Sequence, residues 1–307
     1  MTARYARAPS EALLALLDER GFLGPLRRRW MVAGLPLDLQ LRERDQVHLY
    51  CGLTRLVAVE RVGEDIKVSA SSTYTSQICA QGLFRTWKTT ETGFNEALGR
   101  YLYGVEVSPQ WTRKEGAVQA QWMATRGPWI AVDREVRIGR DSTEARTEAL
   151  DTASVHAAFA AVDALAQEDG WKRPSPPAGS NKLDQLGVDR DGRMVLVELK
   201  RAHSADLTYA PLQALRYAWE WHEACDEVLP GVQALVAARR DLGLTPLSMP
   251  DVLSSMRVAV AWGGQRPSKE VRRRLLLVKG LVDPHLPPGV DEIELWSLPH
   301  GKPIRRA

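Results

Sequence analysis

The sequence predicts two domains, the first β-rich with some helix and the second of the α/β class with a mixed sheet. Residues 36–75 contain strand patterns in which apolar and polar residues alternate. Residues 183–199 form two short apolar runs on either side of a turn. Residues 141–167 and 211–224 have the apolar spacing of helices. These patterns place the domain boundary between residues 127 and 128.

The first domain, residues 1–127, is expected to begin with a short helix capped by Ser10. The segment 54–71 predicts two strands that join near Gly63-Glu64-Asp65, and residues 92–103 predict a helix. This domain is expected to recognise DNA, form a homodimer or bind a partner, and the sequence does not decide among these roles.

Four tryptophans in this first part of the chain lie among basic residues. Tryptophans in such surroundings stack on unpaired bases in some proteins, but more often they are core residues. We therefore expect most of the set to be buried, with base stacking as the alternative. The four are Trp87, Trp111, Trp122 and Trp129.

The second domain, residues 128–307, is expected to contain a long amphipathic helix from Asp141 to Gln167. Asp141 is a plausible N-cap, with Glu144 three residues later. The apolar end of the stripe is Val155, Ala158, Val162 and Leu165, and its first three positions are the acids Glu144, Glu148 and Asp151. Acids also favour the first turns of helices because of the helix dipole.

Residues 183–200 predict a β-hairpin that brings three charged side chains together. Gly192 fits the left-handed last position of a three-residue loop. The loop then closes on Asp189 and Arg193, and this register puts Asp184 opposite Glu198. Lys200 is two residues beyond Glu198, on the same face of its strand.

Two facing carboxylates repel each other unless a positive charge neutralises them. Lys200 supplies one such charge, and a bound Mg²⁺ or Mn²⁺ would supply more, because these ions prefer carboxylate and water oxygens. A cation and a lysine in this arrangement suit the hydrolysis of a phosphodiester. The alternative is an ion pair at an exposed strand end with no function.

The segment LDQLGVDRDGRMVLVELKR resembles the PD-(D/E)xK nuclease superfamily, through Asp184 and the triplet Glu198-Leu199-Lys200. Gln213 and Tyr217 match the Gln-x-x-x-Tyr pattern that this family often carries on the next helix. The resemblance covers residues 140–265. Within the superfamily, this segment is most similar to the mismatch-cutting endonuclease branch. The proline that usually precedes the first aspartate is replaced by Leu183.

This resemblance implies a restriction-endonuclease-like αβββαβ core and a nuclease that hydrolyses DNA with Mg²⁺ or Mn²⁺, in DNA repair or in defence against foreign DNA. Asp184 and Glu198 would hold the metal, with Glu148 as a third acid. Lys200 would orient or activate the attacking water, and Gln213 and Tyr217 would support the site. The alternative is an inactive nuclease fold that binds nucleic acid or scaffolds a complex.

Composition narrows the function classes further. The chain has 307 residues, of which 44% are hydrophobic, and a net charge of +3. Its three cysteines lie far apart, so no zinc site is predicted, and a reducing cytoplasm is expected. No apolar run is long enough for a membrane span. The basic run 272–274 would contact phosphates or form a solvated helix face.

Overall fold

The structure is a computed structural model that describes residues 3–112, 115–125, 127–142, 152–174, 182–264, 266–298 and 305–306. The chain divides into two compact units. The hairpin unit comprises Met1–Tyr5, Arg126–Pro230 and Pro250–Ala307, and the N-terminal unit comprises Ala6–Thr125 and Gly231–Met249.

These units differ from the predicted division at two places. The helix expected over residues 211–224 runs from Ala210 to Asp241, and its residues after Pro230 belong to the N-terminal unit. At the other end of the chain, Met1–Tyr5 belongs to the hairpin unit, where the Tyr5 hydroxyl donates to Asp133 over 2.8 Å. Such contacts between distant residues leave no local sequence signal.

The N-terminal unit is built on a five-stranded antiparallel sheet in the order β3-β4-β5-β6-β7, beside a small β1–β2 ladder. The predicted turn is confirmed, because Val62 pairs with Asp65 and Gly63 is left-handed. The strands are β1 Met31–Val32, β2 Leu35–Pro36, β3 Asp38–Leu41, β4 Gln46–Cys51, β5 Thr54–Val62, β6 Asp65–Ser69 and β7 Thr86–Lys88.

Helices of the N-terminal unit also follow local sequence signals. The predicted cap is confirmed, since the Ser10 side chain accepts a hydrogen bond from the Leu13 amide over 3.1 Å. Trp87 and Trp122 are buried, as is Trp129 of the hairpin unit, whereas Trp111 is 39% exposed. The core interpretation is thus confirmed for three tryptophans. The helices are α1 Glu11–Leu17, α2 Ser72–Thr75, α3 Phe94–Gly104, α4 Pro109–Thr112 and α5 Glu115–Ala124.

The hairpin unit contains a six-stranded mixed sheet in the order β13-β12-β11-β10-β9-β8. Strands β8, β9 and β10 form an antiparallel meander, and β11 and β12 continue the sheet in parallel with β10. The strands are β8 Trp129–Val136, β9 Leu183–Asp189, β10 Arg193–Arg201, β11 Leu253–Gly263, β12 Ile293–Leu298 and β13 Arg305–Arg306.

Described helices of this unit are α6 Ala153–Glu168, α7 Ala210–Asp241 and α8 Lys269–Val282. The order is therefore β8, α6, β9, β10, α7, β11, with α6 between the first two strands. In the expected αβββαβ core, by contrast, a helix precedes three consecutive strands. The mixed α/β class is as predicted.

Helix α6 begins at Ala153, where the Thr152 side chain caps it by accepting from the Val155 amide over 3.2 Å. Extended Thr152 therefore interrupts the continuous helix predicted over residues 141–167, and residues 143–151 of that prediction lie outside the described residues. The predicted stripe is buried at Val155, Ala158 and Val162, and Ala166 is buried after them. Among the described helices, none is long and apolar enough to cross a membrane.

Candidate functional site

The hairpin of β9 and β10 has the predicted register. Val188 pairs with Met194 and Gln185 pairs with Val197, which is the register predicted from the loop. Gly192 has a φ of 83°. A Cβ atom there would also lie 2.4 Å from the Asp251 carbonyl oxygen, so glycine is required twice over.

This register brings Asp184 and Glu198 together at the end of the hairpin away from the loop. Oδ2 of Asp184 accepts a hydrogen bond from the Leu199 amide over 2.8 Å, which fixes the carboxylate against β10. Glu198 is only 1% exposed, and the Lys200 ammonium contacts its Oε1. The three predicted residues therefore form one cluster on adjacent strands.

Burial and like charge both act on Asp184. Burial raises its pKa well above the ordinary 3.8, and the neighbouring Glu198 raises it further. The Lys200 charge and the Leu199 amide oppose this shift by favouring the ionised carboxylate. A second positive charge at this place would stabilise both carboxylates in their ionised forms.

Helix α7 places Tyr217 beside the two acids. The Tyr217 side chain is buried, and its hydroxyl donates to the Lys182 carbonyl oxygen over 2.8 Å. Burial raises the pKa of the phenol, and Glu198 and Asp184 raise it further, so Tyr217 stays neutral. Gln213 lies one turn earlier and is half-buried, and its side chain makes no hydrogen bond to another described residue. Of the predicted pair, Tyr217 is the one whose pKa responds to the two acids.

Glu135 is an acid near the site that the sequence did not reveal. Strand β8 pairs Arg134 with Gln185 and Val136 with Leu183, which puts Glu135 opposite Asp184. The negative charge of Glu135 also raises the pKa of Asp184. Three acids thus form one row across β8, β9 and β10. The register that aligns Glu135 with Asp184 depends on a bulge near Ala131, which no local sequence pattern indicates.

The backbone at Glu135 is strained. Its φ of 51° lies in the left-handed region, which a non-glycine residue occupies at a cost of about 1 kcal/mol or more. Its carboxylate is held by the Lys182 ammonium at 3.2 Å. Lys182 therefore contributes its carbonyl to Tyr217 and its charge to Glu135.

The contact between β8 and β9 depends on a close fit. The Trp129 indole nitrogen donates to Oε1 of Gln185 over 2.9 Å. Its ring lies against Gly187, where a Cβ atom would be 2.4 Å from Cδ1. Glycine at this position allows the ring to cover the strand, and this packing holds β8, with Glu135, against β9.

The predicted third acid, Glu148, lies outside the described residues, as do Glu144 and Asp151. Within the described ranges, no group of three or more histidine, cysteine, aspartate or glutamate side chains could hold a metal ion. Asp184 and Glu198 remain as a pair of carboxylates. Because Mg²⁺ is often held by one or two carboxylates and water, this pair fits such an ion.

Charges elsewhere in the hairpin unit have structural roles. At the loop end of the hairpin, Arg257 bridges Asp189 at 2.8 Å and Glu294 at 2.5 Å. In the predicted basic cluster, Arg273 and Arg274 pair with Glu270 on their own helix. These contacts support the interpretation of that cluster as a solvated helix face.

Comparisons of the chain with protein-family models, with curated proteins and with solved structures find no match. The class that the structure itself defines is a mixed α/β protein with a buried glutamate, a half-buried aspartate and a lysine at one end of a hairpin.

Proposed function

We propose that the chain is a divalent-metal-dependent nuclease that hydrolyses DNA phosphodiester bonds. The observation that supports it best is the cluster of Asp184, Glu198 and Lys200 at one end of a buried hairpin. A structural ion pair needs one acid for one lysine. Here a second acid, the half-buried Asp184, stands beside the pair, at an electrostatic cost that a bound cation would relieve.

Asp184 and Glu198 would hold the ion, since the Leu199 amide orients one carboxylate and burial fixes the other. When bound, Mg²⁺ or Mn²⁺ supplies polarisation of a phosphoryl oxygen and a lowered pKa for bound water. In hydrolysis a water oxygen bonds to phosphorus and one P–O ester bond breaks. The water loses a proton, and the leaving oxygen gains one.

Lys200 is placed to act on the attacking water or on a phosphate oxygen. Its side chain is 12% exposed, so it is largely shielded but still reachable from solvent. Its ammonium already contacts Glu198, which holds it beside the carboxylate pair. Tyr217 is buried, and its hydroxyl stays neutral because burial and the two acids raise its pKa.

The test is cleavage of labelled single-stranded, duplex, branched and mismatched DNA with Mg²⁺ or Mn²⁺. Wild type should cut at least one substrate. Lys200→Met should reduce the rate by about 100-fold or more, the range typical of general acid–base groups. Lys269→Met removes the same charge from an exposed position on α8 and should cut as wild type does. Equal rates in the two variants would refute the role of Lys200.

The second candidate is an inactive nuclease-like module that binds nucleic acid or scaffolds a complex. The absence of a three-acid metal group within the described residues favours it. Its signature in the same experiment is DNA binding that weakens with salt, without cleavage under any metal condition. That result would replace the nuclease proposal.

A further inference from the structure

A second polar cluster lies in the N-terminal unit, on one face of the β3-β4-β5 sheet. Gln40 is directly opposite His48, and Tyr50 is paired with Arg55. Arg42 follows Gln40 by two residues, and its amide donates to the Gln46 carbonyl over 2.8 Å, which continues the ladder. Strand alternation therefore puts these side chains on a common face. The His48 cluster comprises Gln40, Arg42, His48, Tyr50 and Arg55 on this face, together with Arg7, whose charge acts on His48.

The imidazole of His48 is the centre of this cluster. Nη1 of Arg55 lies 3.5 Å from its Nε2, and the Tyr50 hydroxyl lies 3.4 Å from its Nδ1. The Arg42 guanidinium is 5.3 Å from the centre of the Tyr50 ring. His48 is 9% exposed and Arg42 is 3% exposed. The positive charges of Arg42 and Arg55 thus lie beside His48 on a largely buried, polar face of the sheet.

Three guanidinium groups act on this imidazole. Burial lowers the pKa of His48 most, and Arg55, Arg42 and Arg7 lower it further, to about 3. Arginine does not lose its proton in proteins, so these positive charges persist at every physiological pH. An anion placed beside His48 would be attracted by these charges, and the Asp38 carboxylate, which accepts from Gln40 on the same face, opposes them in part.

Gln40 gives an independent sign of a ligand. Its side chain is 1% exposed, and its amide nitrogen donates to Oδ1 of Asp38 over 2.7 Å. Its amide oxygen is buried and has no hydrogen-bond partner among the described residues. A buried acceptor is rarely left unsatisfied, so a donor from a ligand would complete it.

We propose that the His48 cluster binds a phosphate group of a nucleotide, either free or within a DNA strand. The planar arginine side chains match phosphate oxygens in geometry and charge. A nucleobase also carries N–H donors, which suit the amide oxygen of Gln40. An acidic peptide would satisfy the arginines but would bring no base. This site is independent of the proposed nuclease function, because it lies in the other compact unit.

Titration calorimetry with EDTA present tests the site without any cleavage. The ligands are inorganic phosphate, deoxyadenosine 5′-monophosphate, deoxyadenosine, an oligothymidylate and hexaglutamate. Wild type should bind the monophosphate or the oligonucleotide more tightly than deoxyadenosine or hexaglutamate. Tight binding of the monophosphate would indicate a nucleotide site, and binding of the oligonucleotide alone would indicate contact with a strand.

The double substitution Arg7→Gln with Arg55→Gln should weaken this binding by about tenfold or more, since two positively charged hydrogen-bond donors are lost. Both arginines lie outside the buried core, so folding should survive. Arg100→Gln removes an exposed charge on α3 and should leave affinity unchanged. If the ligand is a DNA strand, the slope of the logarithm of the binding constant against the logarithm of salt concentration should also be smaller by about 1.4 in the double variant than in wild type.

A second measurement does not depend on variants. The titration of His48 followed by NMR should move to higher pH when the phosphate ligand is added, because the anion offsets the arginine charges. The proposal is overturned if wild type binds no phosphate compound, if hexaglutamate binds as tightly, or if the double variant equals Arg100→Gln.

Discussion

Acidification should destabilise the N-terminal unit through His48. The folded state holds the pKa of this histidine at about 3, whereas its ordinary value is 6.5. The unfolded chain therefore takes up a proton near pH 5, and the folded chain does not. Because the folded pKa is depressed, stability falls as the pH falls below 6.5. A pH of about 5 lies about 1.5 units below the ordinary pKa of histidine, and protonation of the unfolded chain over this interval lowers the free energy of unfolding by about 2 kcal/mol.

Urea unfolding of wild type and His48→Gln at about pH 7.5 and about pH 5 measures this contribution of His48 to the free energy of unfolding. Other groups titrate in both proteins, so the difference between their pH dependences isolates His48. Wild type should lose about 2 kcal/mol more than the variant over this interval. His203→Gln, at an exposed position of the hairpin unit, should behave as wild type does. Equal losses in wild type and His48→Gln would refute the assignment of His48 as a buried neutral group.

Three further substitutions test the hairpin unit. Gly187→Ala should reduce the free energy of unfolding by about 1–3 kcal/mol, because the new methyl group meets Trp129, and an unchanged urea midpoint would contradict this packing. Asp184→Asn should raise the melting temperature near pH 8 but not below pH 3.8, because the raised pKa of Asp184 makes its ionised form costly in the folded state. Equal effects at both pH values would argue against burial and Glu198 as the cause of the raised pKa. Glu135→Gln should lower the pKa of Asp184, as followed by NMR, and an unmoved titration would contradict the row of three acids.

The features that the sequence predicted correctly are local ones. Gly192 and the loop length fix the hairpin register without any knowledge of the rest of the fold. The Ser10 cap and the Gly63 turn are equally local. Asp184, Glu198 and Lys200 could therefore be brought together from eighteen residues of sequence.

The features that were missed depend on contacts between distant segments. Glu135 joins the row only because β8 pairs with β9 across an intervening helix and a bulge shifts its register. Helix α7 continues through Pro230, although proline is a common signal for the end of a helix. The His48 cluster needs the register of three strands and the position of Arg7, which no single motif encodes.

The proposed metal site at Asp184 and Glu198 is tested most directly by the initial rate of DNA cleavage as a function of Mn²⁺ concentration, in wild type and in Asp184→Asn. Wild type should show no cleavage in EDTA and a saturable rise with Mn²⁺. Asp184→Asn should remain folded and show a rate at least about 100-fold lower at every Mn²⁺ concentration, because one of the two carboxylates is lost. Cleavage by wild type in EDTA, or an unchanged Mn²⁺ response in the variant, would contradict a metal site at Asp184 and Glu198.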